Sequence, residues 1–258
     1  MSSPPESTTT SLATSTPEDV FIRDRSLCHE LMGSLSFTQM AFFLILGRTP
    51  TEPQRVIVDA CLVTLMEHGL TPSALTTRLT YGSAPEAMQG AVAAGLMGVG
   101  SVFVGAMEAC GSLIDRIVAA GEPFSAEAER IAREHHEARQ PLPGFGHPLH
   151  KPDDPRALRL LELIEEQGVT GNHTRALRAL SQAVDRVYAR HITINATGAI
   201  AAALADCGVP ARIMRGFALI SRCAGLVAHI HEEQAKPALR AIWEASERAV
   251  LYDGKQGR

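Results

Sequence analysis

The 258-residue sequence has no CxxC pair, no basic surplus, no unbroken apolar run of membrane length and no long stretch of alternating apolar and polar residues. Each absence narrows the field. Cys28, Cys61, Cys110, Cys207 and Cys223 lie scattered without metal-type spacing, so they are expected to be reduced thiols of a cytoplasmic protein, packed as small hydrophobes. A formal net charge of -4 offers no overall positive field for phosphate backbones. That argues against a nucleic-acid partner, while local Arg clusters remain free to bind small anions. The apolar stretch from Ala87 to Val104 is broken by Gly and reads as a buried core helix, so no membrane partner is expected. Without alternation there is no signal for a sheet.

Hydrophobic residues at 45% and charged residues at 20% suit a globular domain with a sizeable core. The N-terminal stretch is rich in Ser, Thr and Pro and lacks the basic start and apolar run of an export signal. Such a composition buries too little apolar surface to offset ordering. A disordered tail is therefore expected over residues 1–18, with a folded region over 19–258.

The folded region reads as helix after helix. Ser36 opens an apolar segment that stops at Gly47, and Gly suits a helix C-terminus. Thr51 is placed to cap a helix with an apolar stripe through Val56, Ala60, Val63 and Leu65, closed by Gly69, which leaves His68 accessible at its end. Further helical segments are expected at about 85–98, 101–120, 125–139, 156–168, 172–190, 197–207, 212–234 and 237–252. The fold class is all-α.

One segment departs from this. Gln140 to Pro155 contains five prolines and two glycines, which makes regular structure improbable. Gly144 and Gly146 allow the backbone to turn and approach a ligand, and three prolines after His147 stiffen the loop. Within ten positions it presents His147, His150, Lys151 and Arg156, a composition suited to an anion site, or to a solvated loop with incidental charges. No metal site is expected: His135 and His136 are adjacent, and His229 and His231 are two apart, neither spacing placing two imidazoles on one helix face.

The segment Gly144-Phe145-Gly146-His147 followed by Asp154-Pro155-Arg156 resembles the signature of the citrate synthase and citryl-CoA lyase family. Other stretches are similar in the same order: FIRDRSLCHELMGSLSFTQMAFFLILGRTPT, EHGLTPSALTTR (Glu67 to Arg78) and SRCAGLVAHIHEE (Ser221 to Glu233). The chain is shorter than a full citrate synthase and looks closer to citryl-CoA lyases. The resemblance implies a large helical domain with a smaller one, at about 140–215, and a homodimer in which a neighbour's basic residue, such as Lys236 or Arg240, completes the site. It implies that His68 and His147 are catalytic, that Arg156 and Arg222 grip substrate carboxylates, and that Lys151, Gly144 and Gly146 meet coenzyme A. No permanently bound cofactor is implied; a coenzyme A thioester would be the substrate.

Two positions depart from the family pattern. Phe103 stands where the family has a second catalytic His, and Thr197 where it has the Asp that removes the methyl proton of acetyl-CoA. Phe donates no hydrogen bond and Thr is no base near neutrality, so an ordinary citrate synthase is not expected. The reading that follows is an oxo-acid lyase cleaving citryl-CoA, or a related 3-hydroxy-3-carboxyacyl-CoA, to oxaloacetate and acetyl-CoA, with His147 taking the tertiary hydroxyl proton. The alternatives are an aldol-type acyltransferase on a different acyl-CoA, or a non-catalytic citrate or coenzyme A binder.

Overall fold

The computed structural model describes residues 8–254 except Ser101 and Phe103, so Phe103 and the tail residues 1–7 lie outside the described residues. The chain is mostly helical, but not all-α. Three short antiparallel strands, β1 (Ala13–Ser15), β2 (Val20–Ile22) and β3 (Arg25–Ser26), pair in sequence order. Strand β1 falls inside the stretch expected to be disordered. Its register, Ala13 to Ile22 through Ser15 to Val20, is held at the turn by Asp19, whose side chain accepts from the Ser26 hydroxyl and the Val20 and Cys28 amides.

Eleven α-helices follow among the described residues. The first two begin where expected. Ser36 caps α1 (Phe37–Leu46) and Thr51 caps α2 (Glu52–Met66), each in a reciprocal capping box with a Gln three residues on. Gly47 ends α1 at φ +74°, a left-handed conformation that favours glycine. Next come α3 (Pro72–Ser83) and α4 (Met88–Met97), which pack on each other. Helix α3 was not expected, because it buries Ser73, Thr77 and Arg78 rather than an apolar stripe. The rest are α5 (Ala106–Ala120), α6 (Ser125–Glu137), α7 (Pro155–Glu166), α8 (Asn172–Tyr188), α9 (Ala196–Asp206), α10 (Met214–Ala235) and α11 (Leu239–Ala249). Helix α5 starts five residues later than the expected 101.

The core is organised around α9. Every residue from Ala199 to Leu204 is fully buried, because α2, α5, α7 and α8 all pack on this one short helix. Its alanines keep those neighbours close. One hydrophobic cluster runs from Phe42 through α2, α5 and α6 to α7, α8, α9 and Phe217 of α10, so the 140–215 segment shares its core with the rest of the chain. With the 3-10 turn before it, α10 is long and apolar enough to cross a membrane by length and composition. Here it packs against α2, α3 and α4 and buries Arg222 and Glu233 among its apolar residues.

Candidate functional site

The Pro- and Gly-rich loop carrying His147 is irregular, as expected, yet it is fastened along its length. Gly146 N donates to Thr193 O (2.8 Å), Asn195 N to Gly144 O (3.0 Å) and Asn195 Nδ2 to Gly146 O (2.9 Å), so the loop lies antiparallel to the segment leading into α9. Gly144 has φ +86°, and a Cβ there would sit 2.4 Å from Cys110 Sγ on α5. Facing it, a Cβ on Gly198 would meet Gly144 O at 2.4 Å. Two glycines in contact thus let the loop seat on the N-terminus of α9. Gly144 is buried in that packing, whereas Gly146 is half-buried at φ +77°.

His147 is oriented by its own loop. Its Nδ1 accepts from the amides of Leu149 (3.2 Å) and His150 (3.0 Å). A neutral imidazole with Nδ1 accepting carries its hydrogen on Nε2. Partial burial, and then the neighbouring His150 ring and Arg156 guanidinium, hold the His147 pKa below the ordinary histidine range, which favours the neutral form. Arg156 Nη2 lies 3.3 Å from that Nε2. Guanidinium and Nε2–H are both donors, so the two cannot satisfy each other; an oxygen accepting from both can. With Nδ1 accepting from those two amides, His147 presents its Nε2–H to the site as a hydrogen-bond donor.

Arg156 is aimed by Asp154, a residue that sequence reasoning noted only as part of a motif. Fully buried, Asp154 accepts Arg156 Nε (3.0 Å) and Nη2 (2.8 Å), caps α7 through Arg156 N (3.1 Å) and accepts Ala196 N at the start of α9 (3.0 Å). Burial alone would raise its pKa, but the Arg156 pairing and these amides bring it below the usual carboxylate range.

His68 and Arg222 arrive from elsewhere in the chain. Helix α10 crosses the end of α2 at Gly225, where a Cβ would lie 2.0 Å from Met66 O. That close approach brings Arg222, one turn earlier on α10, beside Glu67 and His68. Arg222 is 6% exposed, and its Nε and Nη1 are buried without partners. Burial lowers its pKa, partly opposed by the Glu67 carboxylate. The backbone at His68 is set by Glu67 Oε1, which accepts the amides of His68 (2.8 Å) and Gly69 (2.5 Å). Behind Glu67 stand His229, with Nε2 3.0 Å from Glu67 Oε2, then Arg78, which donates to His229 Nδ1 (3.0 Å) and to Glu233 Oε2 (3.0 Å).

The His68 ring lies 6.1 Å from that of His147. Lost hydration, then Arg156, His150 and Arg222 in that order, lower its pKa. The four residues singled out from the sequence, His68, His147, Arg156 and Arg222, thus act on one small volume. Lys151 is exposed on the same loop. Thr197 is half-buried and donates its hydroxyl to Asn195 Oδ1 (2.7 Å). Asp206 caps α8 by accepting the amides of Gly171, His173 and Thr174, and Asp185 holds His191 Nδ1 (2.8 Å), so neither carboxylate is free to serve as a base.

His150, named in the sequence with the cations of this loop, proves to be the third member of an imidazole cluster that the sequence did not reveal. His150 stacks on His147 with centroids 4.3 Å apart and 25° between the planes, and one nitrogen from each of His68, His147 and His150 lies within 4.8 Å of the others. Three imidazoles so grouped can hold a divalent cation. Two guanidiniums act on this cluster, and the free nitrogen of His147 carries hydrogen, so its electrostatics favour an anion.

Comparison with known proteins agrees with this geometry. The family model for the citrate synthase C-terminal domain matches residues 20–243. The citryl-CoA lyase structure from Hydrogenobacter thermophilus is 31% identical, with a TM-score of 0.87 over 97% of this chain and 96% of that one. An ATP citrate lyase from Methanothrix soehngenii, solved with citrate and coenzyme A, shares the fold at 15% identity and a TM-score of 0.81, over 98% of this chain and 43% of that one. The citrate synthase of Acidithiobacillus ferridurans is 24% identical over 232 residues; these are 87% of this chain but 57% of that protein, so the chain spans little more than half its length.

Proposed function

The chain belongs to the citrate synthase family, and from that premise we propose that it is a lyase that cleaves citryl-CoA, or a related 3-hydroxy-3-carboxyacyl-CoA, into oxaloacetate and acetyl-CoA. The observation that carries the proposal is the pair of donors left facing each other, His147 Nε2–H and Arg156 Nη2 at 3.3 Å, with the orphaned Arg222 guanidinium beyond His68. An oxygen at the carbinol carbon accepts from His147, and a carboxylate on that carbon meets Arg156 in the planar geometry that guanidinium matches. Arg222 receives a second carboxylate, and His68 donates to the same acid.

In this reading the tertiary hydroxyl is deprotonated, the oxygen closes to a ketone, and the bond to the CoA-bearing methylene breaks. The developing negative charge begins on an oxygen faced by preorganised donors, where such groups contribute most. Lys151 approaches a coenzyme A phosphate, and the thioester is a substrate rather than a resident cofactor. A homodimer in the cytoplasm completes the proposal, with Met97 of α4 (86% exposed) and Val227 of α10 (44% exposed) among the apolar residues left for a partner copy.

The test is direct. Purified protein is mixed with citryl-CoA, and oxaloacetate is followed through a coupled malate dehydrogenase. Turnover is expected, and His147→Ala is expected to lower it by roughly a hundredfold or more. Citrate binding without any turnover would instead favour a non-catalytic binder, a reading that Thr197, tied to Asn195, makes worth testing. Turnover confined to longer acyl chains would favour the acyltransferase alternative.

A further inference from the structure

Cleavage from the hydroxyl side needs a proton acceptor, and most groups at the site are engaged or chemically unsuited. His147 offers a hydrogen, not a lone pair, at Nε2. Arg156 and Arg222 have no acceptor atom. Both oxygens of Asp154 are occupied by Arg156 and Ala196, Asp153 Oδ1 faces His191 Nε2 at 2.9 Å, and Thr197 has donated its hydroxyl to Asn195. Glu67 is engaged by the His68 and Gly69 amides and by His229. Among the described residues at the site, His68 and His150 remain.

Resting on the lyase reading above, we propose that His150 is the general base, its Nε2 taking the tertiary hydroxyl proton of the hydroxyacyl-CoA. Two observations distinguish it from His68. First, His150 Nε2 is a buried ring nitrogen with no hydrogen-bond partner, a costly arrangement unless something polar comes to it. His68, by contrast, is exposed and acted on by both guanidiniums, which favours a donor role toward the acid. Second, the His150 ring stacks on His147 at 4.3 Å, while its backbone amide donates to His147 Nδ1 at 3.0 Å. One of the two residues whose amides fix the tautomer of the donor imidazole is thus also its ring neighbour. One nitrogen of each of the two rings lies within 4.8 Å of the other, a separation that a single oxygen can bridge.

The chemistry balances. The hydroxyl proton passes to Nε2 of a neutral His150 whose hydrogen is on Nδ1. The C–O bond becomes C=O, and the adjacent C–C bond breaks. Its electron pair passes into the thioester enolate, whose carbon then takes one proton, from the imidazolium or from water, to give the methyl group. One proton leaves oxygen and one arrives at carbon. The role needs no base at Thr197.

The experiment compares wild type with His150→Gln, His150→Phe and His68→Gln, measuring citryl-CoA cleavage across pH and citrate binding by calorimetry. His150→Gln is expected to lower kcat by roughly a hundredfold. It is also expected to keep citrate affinity within about twofold and to remove the acidic limb of the wild-type pH profile, with His150→Phe behaving alike. Wild-type kcat in His150→Gln overturns the proposal. So does loss of the acidic limb in His68→Gln but not in His150→Gln, or a parallel loss of citrate binding and kcat, which marks a structural role. A wild-type protein that binds citrate but cleaves nothing refutes the lyase reading itself, and the base with it.

Discussion

Arg222 carries its charge to a position where 6% of the residue meets solvent, and Nε and Nη1 find no partner there. A lone buried cation destabilises the empty fold, because little replaces its lost hydration. Replacing it with an unbranched apolar side chain, Arg222→Met, is therefore expected to leave the ligand-free protein as stable or more stable, by about 1–4 kcal/mol in denaturant unfolding. Asp154 has the opposite character, since its carboxylate is fully satisfied. Asp154→Asn is expected to cost about 2 kcal/mol and to lower turnover further by freeing Arg156, which comparison of unfolding and kinetic data separates. The motif around His147 and Arg156 was legible in the sequence because glycines, prolines and cations were crowded into one short loop. The His147 tautomer was not, since it depends on two loop amides, and nor was the stacking of His150.

At the scale of elements, helices are joined through carboxylates. Asp206, at the end of α9, accepts three amides at the start of α8 and the His173 ring (3.0 Å), with only 2% of its side chain exposed. Asp206→Ala is expected to destabilise the fold by about 3 kcal/mol, read as a shifted denaturant midpoint. His191 joins the loop before α7 to α8 through Asp185 Oδ2 (2.8 Å) and Asp153 Oδ1 (2.9 Å). Those two carboxylates raise its pKa above the ordinary value. The sign follows: the clamp is fully present below the unfolded histidine pKa, about 6.5, and is lost as pH rises through the higher folded value. Stability measured across that window is expected to fall for wild type more steeply than for His191→Gln. Most helices were legible from their caps and apolar stripes. Helix α3 was missed because it buries Thr, Ser and Arg, and α5 begins later than expected, after Gly105 at its N-cap. The strands at 13–26 are too short, at two or three residues, to show any alternation.

Across the whole molecule, one core built on the alanine-rich α9 holds the His147 loop on one side and the α2–α10 crossing on another. Nothing in periodicity or composition places Arg222 beside His68, 154 residues earlier; the family resemblance carried that expectation, and the contact of Gly225 with the end of α2 is its physical basis. The central claim is that these distant groups form a single carboxylate site. Calorimetric titration of citrate into wild type and Arg222→Met at neutral pH tests it most directly. One citrate is expected to bind per wild-type chain, with affinity lowered by at least about tenfold, some 1.4 kcal/mol, in a variant that still unfolds cooperatively. Failure of the wild type to bind citrate, or equal affinity in the variant, would contradict the claim.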